Sequence, residues 1–146
     1  MNHVRLQRTL TLTNDISTIP QLSEFLDLFF EEVGIDMELC MSLNLAMEEA
    51  VVNVIDYAYP QGTSGTVDIC ALADGDGVAF VITDSGIPFD PTAAKEVDTT
   101  LPLEERQIGG LGIHLIRKIM DDVSYERRDN KNILTLRKNI NSENNH

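Results

Sequence analysis

The sequence predicts an α+β fold: a two-layer sandwich in which a mixed, mostly antiparallel sheet is covered on one face by three helices. Two observations lead there. Three segments carry apolar residues at three- and four-residue intervals, the mark of helices with one buried stripe. Four strand-like runs pair off across short polar turns, and such hairpins make antiparallel neighbours. Helices with one apolar stripe each need a sheet face to bury it against. A chain of 146 residues suffices for one such core, and two would each be marginal, so a single domain is expected with its core at about 4–138.

The elements follow in order. From Val4 to Leu12 the apolar residues Val4, Leu6, Leu10 and Leu12 share one parity against Arg5, Gln7, Thr9 and Thr11, which predicts a strand with one face toward the core. Asn14 or Asp15 can cap what comes next. Ile19, Leu22, Leu26, Phe29, Phe30 and Val33 then recur at helical spacing, with Pro20 suited to the first turn and Gly34 to the stop. Asp36 opens a second helix running to about Ala58, with Leu39, Leu43, Ala46, Ala50 and Val54 on its apolar side. The runs Thr66 to Ala73 and Val78 to Thr83 form a hairpin around Asp74-Gly75-Asp76-Gly77. From Ser85 to Ile108 no period is sustained and three prolines intervene, so a long loop is expected there, of the kind used as a lid or binding loop. A third helix with Ile113, Ile116, Ile119 and Met120 as its stripe follows the glycines. Val123 to Arg127 and Asn132 to Lys138 make a last hairpin around Asp129-Asn130-Lys131, and residues 139–146 form a polar tail.

Composition narrows the function classes. The formal net charge is −13, with 24 Asp and Glu against 11 Lys and Arg, so nucleic acid and anionic lipid are disfavoured partners. Cys40 and Cys70 have neither metal-type nor scaffold spacing and read as buried thiols in a reducing compartment. The first eight residues are polar where a signal peptide would be apolar, and no apolar run approaches the roughly 20 residues of a membrane span, so a cytoplasmic location is expected. Asp74-Gly75-Asp76-Gly77 lacks the Glu at position twelve of a calcium loop, Ser85 standing there instead, and the three histidines lack zinc-ligand spacing.

Three segments carry candidate chemistry. Glu49 and Asn53 lie one helical turn apart on a largely apolar helix. Asn offers a neutral oxygen to a hard cation, and the nearby carboxylate can accept a proton; an ordinary solvated helix edge would show the same spacing. Asp84-Ser85-Gly86 follows a strand directly, where Asp can accept a hydrogen bond from an exocyclic amine and Gly lets backbone approach a flat ring; a plain turn has the same residues. Gly109-Gly110-Leu111-Gly112 leads into a helix, so its backbone N–H groups can converge on phosphate; a flexible hinge has the same composition. It is neither a dinucleotide fingerprint nor a P-loop, because the third glycine is replaced by Leu115 and no Gly-Lys-Ser/Thr follows.

In this order the segments resemble the GHKL ATPase superfamily with its Bergerat nucleotide pocket, and most closely the anti-sigma factor serine/threonine kinases of bacterial partner switching. The matching stretches are Asn44 to Asn53, Val81 to Pro91 and Ile108 to Ile116, joined by Met120-Asp121-Asp122-Val123, and the resemblance spans roughly Thr9 to Lys138. It implies ATP and Mg²⁺ as cofactors, Asn53 as the magnesium ligand and Glu49 as the general base. It implies Asp84 on the adenine amine with Gly86 beside the ring, and Gly110 and Gly112 along the phosphates beneath a lid from about Thr92 to Ile108. Thr135 matches the position that supports the adenine-binding Asp. Lys95 and Arg106 are the lid's cations, with Arg106 favoured for the γ-phosphate because it borders the glycines. The implied partners are a STAS-type anti-anti-sigma protein as substrate, a sigma factor as a second partner, and a second copy in a homodimer. One departure stands out: Tyr57 occupies the place where these kinases often carry His. Two alternatives stay open, an ATP-dependent regulatory binding module without phosphoryl transfer and a detached histidine-kinase catalytic domain. The latter would want a phosphoacceptor helix that the chain lacks.

Overall fold

The computed structural model describes residues 4–93 and 108–140, and its side chains outside 108–112. Five strands, β1 (Leu6–Thr13), β2 (Thr66–Ala73), β3 (Gly77–Asp84), β4 (Asp122–Arg128) and β5 (Lys131–Asn139), form one sheet in the order β1-β2-β3-β5-β4. All four pairings are antiparallel, so the sheet is not mixed as expected but wholly antiparallel. Three helices, α1 (Ile19–Val33), α2 (Met37–Tyr57) and α3 (Ile108–Ile119), complete the α+β arrangement, with α3 packed beside α2.

Local chemistry sets most boundaries. Asp15 caps a short 3-10 turn, Ile16–Thr18, by accepting from the Ser17 N–H at 2.9 Å, so the cap lies one turn before the helix it was expected to start. α1 then begins with Pro20 in its first turn, where no N–H is needed. It ends at Gly34, whose φ of 87° is left-handed and whose N–H reaches the Phe30 carbonyl. Asp36 caps α2 by accepting from the Leu39 N–H at 2.9 Å. In the β4–β5 hairpin Asp129 and Asn130 both take positive φ, 54° and 64°, the two-residue geometry that matches strand twist. The β2–β3 turn closes differently. Asp74 Oδ1 accepts from the N–H groups of Asp76 and Gly77, and its carboxylate pairs with Arg137 on β5 at 2.8 Å.

One hydrophobic cluster joins the layers. Leu12, Val67, Ile69, Ala71, Val78, Phe80, Ile82, Leu134 and Leu136 point from the sheet toward Leu22, Leu26, Phe29, Phe30, Leu43, Met47, Ala50 and Ile116 on the helices. Phe29, Phe30 and Phe80 meet edge to face with ring centres 5.9–6.1 Å apart, knitting α1 to β3. Residues of the other parity, among them Cys70, Val81 and Thr135, lie on the uncovered sheet face and are half-buried. Cys40 on α2 and Cys70 on β2 therefore sit in different layers, and burial pushes both free thiols up.

Two expectations meet the helix–loop boundary. Gly109 to Gly112 do not form a loop ahead of α3 but its opening turns, since the helix starts at Ile108. Of the expected lid, Pro91–Ala93 forms a 3-10 turn and residues 94–107, Lys95 and Arg106 with them, lie outside the described residues.

Candidate functional site

The C-terminal half of α2 buries Ala46, Met47, Ala50, Val51 and Val54 in the core, and this fixes where its polar residues point. Asn53 is carried to the flank of that stripe and is only 6% exposed. Its Nδ2 is buried without a hydrogen-bond partner among the described residues. Such an orphan donor costs about 1–3 kcal/mol in a folded protein, so its retention points to a ligand that completes it. Glu49, one turn earlier on the same side, is half-buried. The neighbouring Glu48 turns the other way and accepts from Ser23 on α1 at 2.9 Å.

Asp84 ends β3 and is 3% exposed, between Val67 of β2 and Asn132 of β5. Burial raises its carboxyl above the ordinary range, opposed by hydrogen bonds from Asn132 and Gly86 and by the Arg127 charge. Both of its donors, Asn132 Nδ2 and the Gly86 N–H, go to Oδ1 at 2.8 Å. Among the described residues Oδ2 is left free to accept from something else.

The turn after Asp84 is held against the end of α2. The Ile87 N–H donates to the Ala58 carbonyl at 2.8 Å. A Cβ on Gly86 would lie 2.1 Å from that same carbonyl oxygen, so glycine is required here by contact with backbone, not by its own dihedral freedom. Tyr59 Oη accepts from the Ser85 N–H at 3.0 Å and donates to the Thr66 carbonyl at 2.7 Å. Arg127 Nη1 donates to the Gly86 carbonyl at 2.9 Å. The Tyr57 ring, at the position that departs from the usual His, stacks on Phe89 with centres 5.4 Å apart. It thereby pins the 84–89 segment to the helix that carries Glu49 and Asn53.

Asn132 is the hub that sequence reasoning missed. Its Nδ2 donates to Asp84 Oδ1 and to the Ile87 carbonyl, both at 2.8 Å, while its Oδ1 accepts from the Phe89 N–H and from Tyr125 Oη. This corrects the expectation for Thr135. Thr135 pairs with Val81, three positions along β5 from Asn132, and an odd offset in a strand turns a side chain to the opposite sheet face. Thr135 is thus on the uncovered face and does not support Asp84. The missing signal was register. The left-handed Asp129-Asn130 turn sets β4 against β5, but nothing local says which residue of β5 stands across from Asp84.

Gly110 and Gly112 lie in the first two turns of α3, which flanks α2; the Gly110 N–H is among the unsatisfied donors of a helix N-terminus, whereas that of Gly112, four residues after Ile108, is in reach of the Ile108 carbonyl. Arg106 lies outside the described residues. A groove of about 570 Å³ opens beside Gly86, lined by Tyr59, Gly65, Ser85, Ile87 and Arg127. Neither Asn53 nor Glu49 borders it, so it is separate from the flank of α2. No group of three His, Cys, Asp or Glu side chains among the described residues could cage a metal. Mg²⁺ keeps waters and substrate oxygens and takes few protein ligands. The buried Asn53 amide fits as one such ligand through Oδ1, with Nδ2 left for an anion.

Comparison with known proteins places the chain among relatives. Residues 12–138 match the histidine kinase-like ATPase domain. The chain is similar to the serine/threonine-protein kinase BtrW of Bordetella bronchiseptica, 34% identical over 67% of this chain and 69% of that protein. It is also similar to the serine-protein kinase RsbW of Halalkalibacterium halodurans, 30% identical over 83% of this chain and 80% of the relative. Among solved structures, the RsbU and RsbW domains of a Mycobacterium tuberculosis protein share the fold with a TM-score of 0.65 at 17% identity. That match covers 91% of this chain and 32% of the other. No helix among the described residues is long and apolar enough to cross a membrane.

Proposed function

Because the chain belongs to the histidine kinase-like ATPase domain family, we propose that it is a protein serine/threonine kinase that transfers the γ-phosphoryl of ATP to a Ser or Thr of a STAS-type anti-anti-sigma protein. The observation that carries this reading is the succession of three groups along the length of α2. At its C-terminal end the Asp84–Gly86 turn is tied to Ala58. In the middle lies the orphaned amide of Asn53, and Glu49 follows one turn farther. From Ala58 back to Glu49 the helix rises about 13 Å, the reach of an extended nucleoside triphosphate.

In this reading Asp84 Oδ2 accepts from the adenine amine while Gly86 lets the ring lie close to backbone. Tyr57, through Phe89, keeps that turn at the end of the helix. The α3 N-terminus offers N–H groups, that of Gly110 among them, to the phosphates, Gly112 leaves room along them for want of a side chain, and Arg106 is the lid cation assigned to the γ-phosphate. Mg²⁺ on Asn53 Oδ1, when bound, offsets negative charge on the phosphate oxygens. Glu49 takes the proton of the incoming hydroxyl as its oxygen bonds to the γ-phosphorus and the bond to the ADP oxygen breaks. A sigma factor held by the nucleotide-bound form, and a homodimer as the working species, belong to the same reading.

The test is transfer of label from γ-labelled ATP to purified STAS-domain proteins of the source organism. Glu49→Ala is expected to slow transfer by about 10²- to 10⁴-fold while leaving ATP affinity in place. An unchanged transfer rate would remove Glu49 from the chemistry. Nucleotide-dependent partner binding without any phosphorylated product would instead identify a regulatory binding module.

A further inference from the structure

The outer face of the α1–α2 layer has two properties that the nucleotide site does not explain. The first is an apolar ridge. Met37, Met41 and Leu45 are 78%, 69% and 47% exposed, and they recur at i, i+4 and i+8, so they line one side of α2 over about 12 Å. The ridge stops one turn before Glu49. Large apolar side chains clustered in this way mark contact surfaces, whereas scattered ones do not.

The second property is the charge around it. No Lys, Arg or His occurs between Arg8 and Lys95, so α1 and α2 are bare of positive charge. The ridge is bordered by Asp36, Glu38, Glu48 and Glu49 from α2 itself. Asp27 joins them from α1, held beside α2 by Asn44 Nδ2 at 3.0 Å. α1 and α2 thus carry only acidic charges of their own, and the cations that reach the helix layer among the described residues include Arg8, paired with Glu32 of α1 at 2.7 Å, and Arg117 and Lys118 at the far end of α3.

We infer that the Met37–Met41–Leu45 ridge docks the protein substrate of the kinase, and that this substrate presents an apolar patch rimmed by Lys and Arg. The inference rests on the kinase reading above and adds where and how the substrate is recognised. Continuity supports it, because a protein seated on the ridge has its edge at Glu49, where its hydroxyl must arrive. Charge selects the occupant. A second copy placed ridge to ridge would bring two acidic rims together, whereas a basic rim is attracted and steered.

Steady-state phosphorylation of a STAS-domain protein by the full chain tests this. Met41→Gln/Leu45→Gln removes apolar surface while keeping helix propensity and net charge. Met37→Gln/Met41→Gln, at the two most exposed positions, serves as the companion should the first variant fold poorly. Each is expected to raise KM for the protein substrate about ten-fold or more, with kcat at saturation and ATP affinity within about two-fold. Wild-type KM is expected to rise with NaCl as the charged rims are screened. An unchanged KM in both variants overturns the docking role and leaves the kinase intact. Loss of a wild-type dimer with KM unchanged overturns it too and assigns the ridge to self-association. If no STAS-domain protein is phosphorylated by the wild type, the kinase reading fails and the docking role with it.

Discussion

Replacing Asp84 by Asn isolates adenine recognition, because the substitution preserves shape and one of the two carboxylate oxygens' bonding pattern. Oδ1 can still accept from Asn132 Nδ2 and the Gly86 N–H, each at 2.8 Å. What changes is the second position, where an acceptor becomes an NH₂ that faces the exocyclic amine of adenine, donor against donor. A hydrogen bond to a charged group contributes about 1.5–3 kcal/mol, so Asp84→Asn should weaken ATP binding by about 10- to 150-fold. The ligand-free protein should respond oppositely. Burial raises the Asp84 carboxyl, and a raised folded-state value means that its contribution to stability is present at low pH and is lost as pH rises through that value. Ionised Asp84 is therefore held at a cost near neutrality, and Asp84→Asn leaves unfolding in urea at pH 7 unchanged or shifted to higher denaturant. Calorimetric titration with ATP and with inosine triphosphate, whose 6-oxygen accepts instead of donating, completes the assay. The ATP-to-ITP affinity ratio should fall in the variant. ATP affinity within about three-fold of wild type, or equal loss for both nucleotides, would refute Asp84 as the reader of the adenine amine.

The remaining predictions concern the frame around that residue. Asn132→Ala removes a hub of four hydrogen bonds and leaves Asp84 with the Gly86 N–H alone, which should cost about 2–4 kcal/mol in urea unfolding and weaken ATP; Thr135→Val, on the opposite sheet face, should leave ATP affinity within about two-fold. Gly86→Ala drives a Cβ into the Ala58 carbonyl, so ATP binding should fall more than about ten-fold by calorimetry, while Gly75→Ala, whose Cβ meets only the Arg5 side chain at an ordinary 3.6 Å, should leave nucleotide binding as it is. The Arg137 guanidinium lowers the Asp74 carboxyl to about 2, so this pair's contribution is full above about pH 4 and disappears as pH falls toward 2. Comparing Asp74→Asn with wild type in urea should show a difference of about 1–2 kcal/mol at pH 7 that vanishes near pH 2; a gap independent of pH would dismiss the ion pair as its source.

Short-range chemistry was legible in the chain itself. Apolar spacing marked α1, α2 and the strands to within a residue or two, because periodicity reports which face is buried whatever the partner. Gly34, Asp36 and Asp129-Asn130 marked ends and turns, since their reasons lie within a few bonds of the residue. The ordered Glu49–Asn53, Asp84–Gly86 and Gly109–Gly112 segments carried the family. Tertiary structure alone decided how these pieces meet. Asn132, not Thr135, supports Asp84 because the β3–β5 register joins residues 48 apart, and a three-residue slip turns a side chain to the wrong face. Gly86 is needed because the end of α2 presses on it, a contact between segments that no local pattern contains. The glycines before Ile113 belong to α3 itself, and helix packing against α2 overrides their weak propensity. Asn53 became informative only when burial left its amide without a partner, for a sequence names a donor but not whether water reaches it.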